Sequence, residues 1–408
     1  MRKPTVISLF SGAGGLDFGF EAAGFDIGAA VEQDRDCCAT LRNHLGDRVI
    51  ERDIFDVTTD EMLEVAGRSC GEVEVLIGGP PCQPFSKSGF WRTGDSGRLT
   101  DPRAATLDAY LRVLEEATPE VMLLENVAGL GYEGKSEGLE LLIDKIRRIN
   151  RRVGTSYTPS FGVIDACDYG VPQHRQRFII VAARDGSKFE FPKPTHADHS
   201  EGLIAQTLQP ISRAFDAIGD LEPDPNEDLA LRGKWAGLIP SIPEGSNYLH
   251  HTDRGDGMSL FGWRRRYWNF LLKLSKTKPS WTIQAQPGPS VGPFHWANRR
   301  LSIRELCRLQ TIPDSIKIIG GRTSAQRQIG NAVPSLLGEV FAREIRTQLL
   351  RRRVNARTPK LLPKRVDRVP PPESVEAVPD EFHFLLGDHE PHPGTGLGEG
   401  ALAREAVR

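Results

Sequence analysis

The sequence predicts an α/β protein, a doubly wound and mostly parallel sheet with one antiparallel strand, joined to a smaller second domain. Three observations predict it. Short apolar runs at residues 5–10, 25–31, 73–77 and 120–124 alternate with helical patterns, as parallel strands and their crossovers do. The first run passes straight into Ser11-Gly12-Ala13-Gly14-Gly15-Leu16, a glycine-bearing turn between strand and helix. The last two strand candidates, 157–164 and 177–183, are joined by a stretch too short and aperiodic for a parallel crossover, so they should pair antiparallel.

In chain order, residues 5–10 are apolar throughout, as a central strand is. The glycine turn departs from the GxGxxG spacing, with Asp17 where the third glycine would stand, so a pyrophosphate cradle is not supported. Its small residues still admit a ligand close to the backbone, and the helix that follows favours a carboxylate at its N-terminus. The second strand is closed by Glu32, about 20 residues past the glycines, where ribose hydroxyls are held. A helix follows over 36–45. A short third strand then ends at Asp53, an acceptor for an adenine amino group, with Ile54 against the ring face. Either acid alone reads equally well as a solvated loop carboxylate. Together with the glycine turn they ask for an adenosine with a carboxylate elsewhere on the ligand, and S-adenosylmethionine carries both.

The stretch Gly78-Gly79-Pro80-Pro81-Cys82-Gln83-Pro84-Phe85-Ser86 follows the strand at 73–77. An isolated cysteine reads as a small buried hydrophobe. Here glycines and prolines make a stiff loop past a strand end, which suits a nucleophile. The polar segment that continues to about residue 100 reads as a cover that closes over substrate. A helix over 104–117 and a strand over 120–124 deliver Glu125 to the same sheet edge as Gly12, Glu32 and Cys82. A helix over 138–152 precedes the antiparallel pair. Inside that pair's connection lies Gln173-His174-Arg175-Gln176-Arg177. If extended, Arg175 and Arg177 share one face and suit an anionic or carbonyl-bearing substrate, surface solvation being the plainer reading.

Near residue 186 the pattern changes. The domains expected are 1–185, completed by 318–350, then 186–317, with a disordered tail over 351–408 that is rich in Pro, Gly and Glu. Net charge is −2, yet residues 248–300 hold nine Lys or Arg against two Asp, interleaved with aromatics. That composition suits nucleic acid and could equally be core. Ser302 and Glu305 form a capping box before a helix over 302–309. Gln328 to Pro334 reads as a turn leading into a last helix over 335–350. Six cysteines at 37, 38, 70, 82, 167 and 307 show no metal spacing, so reduced thiols and no metal are expected. No run reaches the ~18 apolar residues of a membrane span, and no secretory leader is visible, so a cytoplasmic, nucleoid-associated location is expected.

The motifs GGPPCQPFS, LENV, QHRQR and QIGNAVP stand in this order, and over about 4–350 the chain resembles the DNA (cytosine-5)-methyltransferases of bacterial type II restriction–modification systems. The resemblance implies a SAM-dependent methyltransferase fold, Rossmann-like, with a DNA-recognition domain. It implies Cys82 as nucleophile, Glu125 at the base, and Arg175 and Arg177 supporting the cytosine and the catalytic loop. It implies S-adenosylmethionine held by Phe10, Ser11, Gly12, Ala13, Gly14, Gly15, Leu16, Glu32, Gln33, Asp53, Ile54, Pro81, Asn331 and Val333. DNA contacts are expected at Arg264, Arg265, Arg266, Thr282 and Ile283. Thr106 stands where the family often has Leu. Double-stranded DNA is the expected partner, with a monomeric enzyme and a cognate restriction endonuclease alongside. An RNA methyltransferase, a binding protein that has lost catalysis, and a nicotinamide dehydrogenase are the competing readings. The broken GxGxxG and the Pro-Cys loop disfavour the last.

Overall fold

The computed structural model describes residues 2–81, 105–131, 136–202, 205–262, 267–354 and 356–387. Among them, seven strands form one sheet: β1 Thr5–Leu9, β2 Asp26–Glu32, β3 Val49–Glu51, β4 Val75–Gly78, β5 Val121–Val127, β6 Ser160–Asp165 and β7 Gln176–Ala183. Their spatial order is β3-β2-β1-β4-β5-β7-β6. Strand β7 runs antiparallel to both of its neighbours and every other pairing is parallel, as expected. Central strands β1, β4 and most of β5 are buried on both faces, which is why they read as unbroken apolar runs. Edge strand β6 instead leaves Phe161 and Val163 exposed, so its pattern alternates.

Helices cover both faces: α1 Gly15–Ala22, α2 Arg35–Leu45, α3 Thr59–Ala66, α4 Ala105–Ala117 and α5 Ser136–Val153. Helix α3 was not expected; its Thr58 cap accepts from Glu61 N, a legible start signal. Tyr110 on α4 is wholly buried, and its hydroxyl donates toward Leu76 O and Leu123 O at 3.2 and 3.0 Å. It thus braces β4 against β5, the two strands whose ends carry the Gly79–Pro81 loop root and Glu125.

The smaller lobe is mostly irregular, with α6 Ala214–Ile218 and α7 Ile303–Leu309. The expected capping box is present on α7, with Ser302 and Glu305 bonding each other's backbone amides. Helices α8 Arg322–Asn331 and α9 Ser335–Glu344 return the chain to the sheet. Here the expectation needs correcting: Gln328 to Asn331 is the last turn of α8, and only Ala332 to Pro334 form the bend. Helix α9 packs against α1 so closely that a Cβ on Gly19 would lie 2.3 Å from Ser335 O. Past Glu344 the last helix runs on as a π turn over Ile345–Leu349, so the helical stretch reaches about residue 350 as expected.

The tail expected to be disordered is corrected for residues 356–387; residues 388–408 lie outside those described. Buried Glu339 accepts from the amides of Lys360 and Leu361 at 2.7 and 2.9 Å. Buried Asp216 accepts from Val366 N, and Lys276 Nζ reaches Pro371 O and Glu373 Oε1 at 3.0 and 2.8 Å. Phe382 then stacks on Trp235 inside the small-lobe core. An extended strap makes contacts at irregular spacing, so no periodicity advertises it. Deleting residues 356–408 would take backbone donors from two buried carboxylates, Glu339 and Asp216, and uncover Trp235. Urea unfolding should show a loss of about 3 kcal/mol or more.

Candidate active site

The carboxyl ends of β1, β2, β4 and β5 open into one cavity of about 470 Å³. Ten expected cofactor residues line it with Glu125, Arg175 and Arg177: Phe10, Ser11, Gly12, Gly15, Leu16, Glu32, Gln33, Asp53, Ile54 and Pro81. Asn331 and Val333 line it from the far end of the chain, which brings Asn331 to the glycine loop. Ala13 and Gly14 do not line it. Ala13 is buried, and Gly14 caps α1 with φ 86°, a left-handed position that favours glycine.

Glu32 holds the glycine loop. One carboxylate oxygen accepts from Gly12 N at 2.8 Å, and the other from Gln33 N and Asp34 N at 2.9 and 2.8 Å. Asp53 lies just past β3, not within a strand, and caps a short turn by accepting from Phe55 N. Next to Glu32, Asp34 caps α2 and pairs with Arg327 on α8 at 2.7 Å. The Arg327 hydrogen bond holds the Asp34 carboxyl down to about 2. The stabilisation is therefore complete above the ordinary carboxylate pKa near 4 and lost as pH falls from there toward 2. Asp34→Asn keeps the cap and loses the ion pair. Its urea midpoint should trail wild type slightly at pH 5, by under about 1 kcal/mol for this half-exposed pair, and the gap should close toward pH 2.5.

Asp17 also borders the cavity. It is fully buried, neither oxygen meets a donor in hydrogen-bond geometry, and burial raises its pKa to about 7. The nearby Ser8 hydroxyl offsets only part of that rise.

At the other end, Arg177 Nε meets Glu125 Oε1 at 2.6 Å, with both side chains nearly buried. The antiparallel pairing of β5 with β7 places Val127 opposite Arg177 and so sets the two side chains together. The loop root lies against them. A Cβ on Gly79 would stand 2.9 Å from Glu125 Oε2. Asn126 Nδ2 donates to Pro80 O at 3.1 Å, and Thr106 Oγ1 to Pro81 O at 3.2 Å. Cys82 itself lies outside the described residues. Among the described cysteines, burial pushes Cys37, Cys38 and Cys307 up, the last two to about 12, which makes them poor nucleophiles.

Arg175 differs from the sequence picture. It does not sit on the rim with Arg177 but is buried, donating to Ile283 O at 3.2 Å and Gly330 O at 2.6 Å. Burial and then the neighbouring Arg177 charge push its pKa well down, and the Glu125 charge offsets only part of that. Ile283 is likewise corrected as a DNA contact, because its side chain belongs to a core shared by α6, α7 and α8. Thr282 is partly exposed, its hydroxyl donating to His174 O at 2.7 Å. Arg264, Arg265 and Arg266 lie outside the described residues. The sequence reading missed Asp34, Arg327 and Gln328. Asp34 two residues past Glu32, at the head of a helical pattern, was the available signal. No described group of His, Cys, Asp and Glu could hold a metal ion, and no described helix is long and apolar enough to cross a membrane.

A family model for C-5 cytosine-specific DNA methylases matches residues 4–347. The chain is 42% identical over 369 residues to the type II methyltransferase M.SacI of Streptomyces achromogenes, covering 84% of this chain and 93% of that one. It is 31% identical over 342 residues to the type II methyltransferase M.NgoFVII of Neisseria gonorrhoeae, covering 82% and 84%. Among solved structures, the Entamoeba histolytica methyltransferase EhMeth superposes with a TM-score of 0.58 at 16% identity, over 86% of this chain and 99% of that one, which shows the shared fold.

Proposed function

Since the chain belongs to the C-5 cytosine-specific DNA methylase family and is a DNA (cytosine-5)-methyltransferase, we propose that it methylates a cytosine turned out of duplex DNA at one short sequence. S-adenosylmethionine would be the donor and a bond from Cys82 to carbon 6 the covalent link. What supports the reading most directly is that the Glu125–Arg177 pair shares a cavity with the glycine loop, Glu32 and Asn331.

The residues fit the cofactor on two counts. Glu32 has about four acceptor sites and spends three on backbone amides, leaving one for a ribose hydroxyl. Gly12, at φ +56°, has open space where a side chain would intrude. Asp53 and Ile54 would take the adenine, and the α1 N-terminus with Asn331 and Val333 the amino-acid end. When bound, the cofactor supplies an electrophilic methyl on a sulfonium.

Carbon 5 of cytosine is too weak a nucleophile to accept that methyl unaided. The Cys82 thiolate adds to carbon 6 and pushes electrons through the ring, making carbon 5 an enamine carbon. Negative charge grows toward ring N3 and the O2 carbonyl. Glu125 would protonate or hydrogen-bond N3, while Arg177 steadies O2 and orients Glu125. After carbon 5 is methylated, loss of its proton and β-elimination return the thiolate. A thiolate suits both ends of the cycle, as nucleophile and as leaving group. Stacked duplex hides carbon 6, so the base must leave the helix at a cost of a few kcal/mol.

Bisulfite sequencing of plasmid DNA from cells expressing the protein tests this. One short recurring sequence should hold protected cytosines. Their absence, from soluble protein that binds S-adenosylmethionine, would turn attention to RNA cytosines. Relatives named as type II methyltransferases also support a role in protecting DNA from a cognate endonuclease.

A further inference from the structure

Three rings stand in a row at the edge of the small lobe. The His174 and Trp281 centroids are 5.4 Å apart, and Trp281 and Trp268 are 5.6 Å apart, edge to face. Trp281 is 41% and Trp268 49% exposed. The same lobe buries Trp235 and Trp296 almost completely, so it has a core that accepts tryptophan. Leaving two large rings in water therefore has a cost that packing did not impose.

The row is fixed to the catalytic stretch by its backbone. Ser280 N donates to Pro172 O at 2.9 Å, and His174 N to Ser280 O at 2.8 Å. Thr282 Oγ1 donates to His174 O, and Ile283 N to Gln173 Oε1 at 3.1 Å. Arg175, next in the chain, donates to Ile283 O. Trp281 is thus bolted to the residues that precede Arg177. Trp268 is held separately, through Asn247 Nδ2 to its carbonyl at 2.8 Å. A small cavity of about 310 Å³ beside Trp281 is bordered by Lys273 and Lys278 and by Asp168 and Asp198. Charges of both signs make it a poor phosphate seat. What the rim offers is exposed ring surface on Trp281 and Trp268, with the exposed Lys278 beside Trp281.

We infer that Trp281 and Trp268 form a stacking shelf for a DNA base next to the displaced cytosine. The inference rests on the methyltransferase function proposed above. Turning out a base exposes the faces of its neighbours, and a rigid aromatic at a fixed distance from Arg177 replaces the lost stack. Stacking tolerates any base because each has a π face, so the shelf positions the DNA and stabilises the open state without reading sequence.

The test uses full-length protein and a short duplex carrying the site mapped by bisulfite sequencing, with 2-aminopurine beside the target cytosine. Trp268→Ala/Trp281→Ala should weaken duplex binding roughly tenfold or more. The 2-aminopurine should fluoresce more brightly with it than with wild type, while calorimetric affinity for S-adenosylmethionine stays unchanged. Trp281→Phe should keep most of what Trp281→Ser loses, a difference that a merely structural role for an exposed side chain does not give. A folded double variant with wild-type duplex affinity and fluorescence overturns the shelf, as do equal affinities for the Phe and Ser single variants. Wild-type protein that methylates no DNA would instead remove the function on which the shelf depends, and bisulfite sequencing reports that separately.

Discussion

Cys82→Ser protein should bind S-adenosylmethionine and duplex DNA as wild type does, yet incorporate labelled methyl groups on the order of 10⁴-fold more slowly, or not measurably. A serine hydroxyl is scarcely ionised near neutral pH, and an alkoxide leaves carbon 6 reluctantly, so both halves of the cycle suffer. The root of its loop is set beside the acid that must act in concert with it. Gly79 has no Cβ to hold Glu125 away, and Asn126 and Thr106 pin the Pro80 and Pro81 carbonyls. Glu125 is in turn held by Arg177. None of these contacts involves the residue 82 side chain, so the substitution should leave them in place. Turnover within tenfold of wild type would remove Cys82 from the chemistry.

The fold was legible where local chemistry and burial agree. Strands β1, β4 and β5 lie between two helical layers and read as apolar runs, and the antiparallel β7 followed from the length of one connection. Three of the cavity's acids, Glu32, Asp53 and Glu125, were legible because each sits at or just past a strand end, whereas Asp17 on α1 and Asp34 at the cap of α2 were not. Contacts decided by residues distant in sequence were not. Arg175 and Arg177 have the same residue type and parity, yet one is buried on Ile283 and Gly330 and the other reaches Glu125. Nothing within the stretch 173–177 separates them; the approach of the 283–285 segment to α8 does. A Cβ on Gly330 would lie 2.4 Å from Ala285 N, so only glycine admits that approach. The 356–387 strap was hidden for the same reason, since its partners Glu339, Asp216 and Lys276 are remote in the chain.

Arg175→Met should therefore act first on stability and only through it on activity. Its guanidinium gives one hydrogen bond to a carbonyl of the 283–285 segment and another to the end of α8. Around it runs a buried network: Gln173 Nε2 reaches Leu309 O at 3.2 Å, and Gln310 Nε2 reaches Ile329 O at 2.7 Å. Methionine fills much of the volume but leaves two buried carbonyls without these donors, at about 1–3 kcal/mol each. A loss of roughly 2–5 kcal/mol in urea unfolding is expected. Arg175→Lys should recover little, because an ammonium on a flexible stem does not reproduce the planar fork that spans both carbonyls. Gly330 directly precedes Asn331, so affinity for S-adenosylmethionine should fall along with stability. Were Arg175 instead a direct cytosine contact, Arg175→Met would keep its unfolding midpoint and cofactor affinity and lose only the methylation rate. Glu125→Gln, which leaves the Arg175 carbonyl contacts intact, should keep cofactor affinity and lose methylation rate.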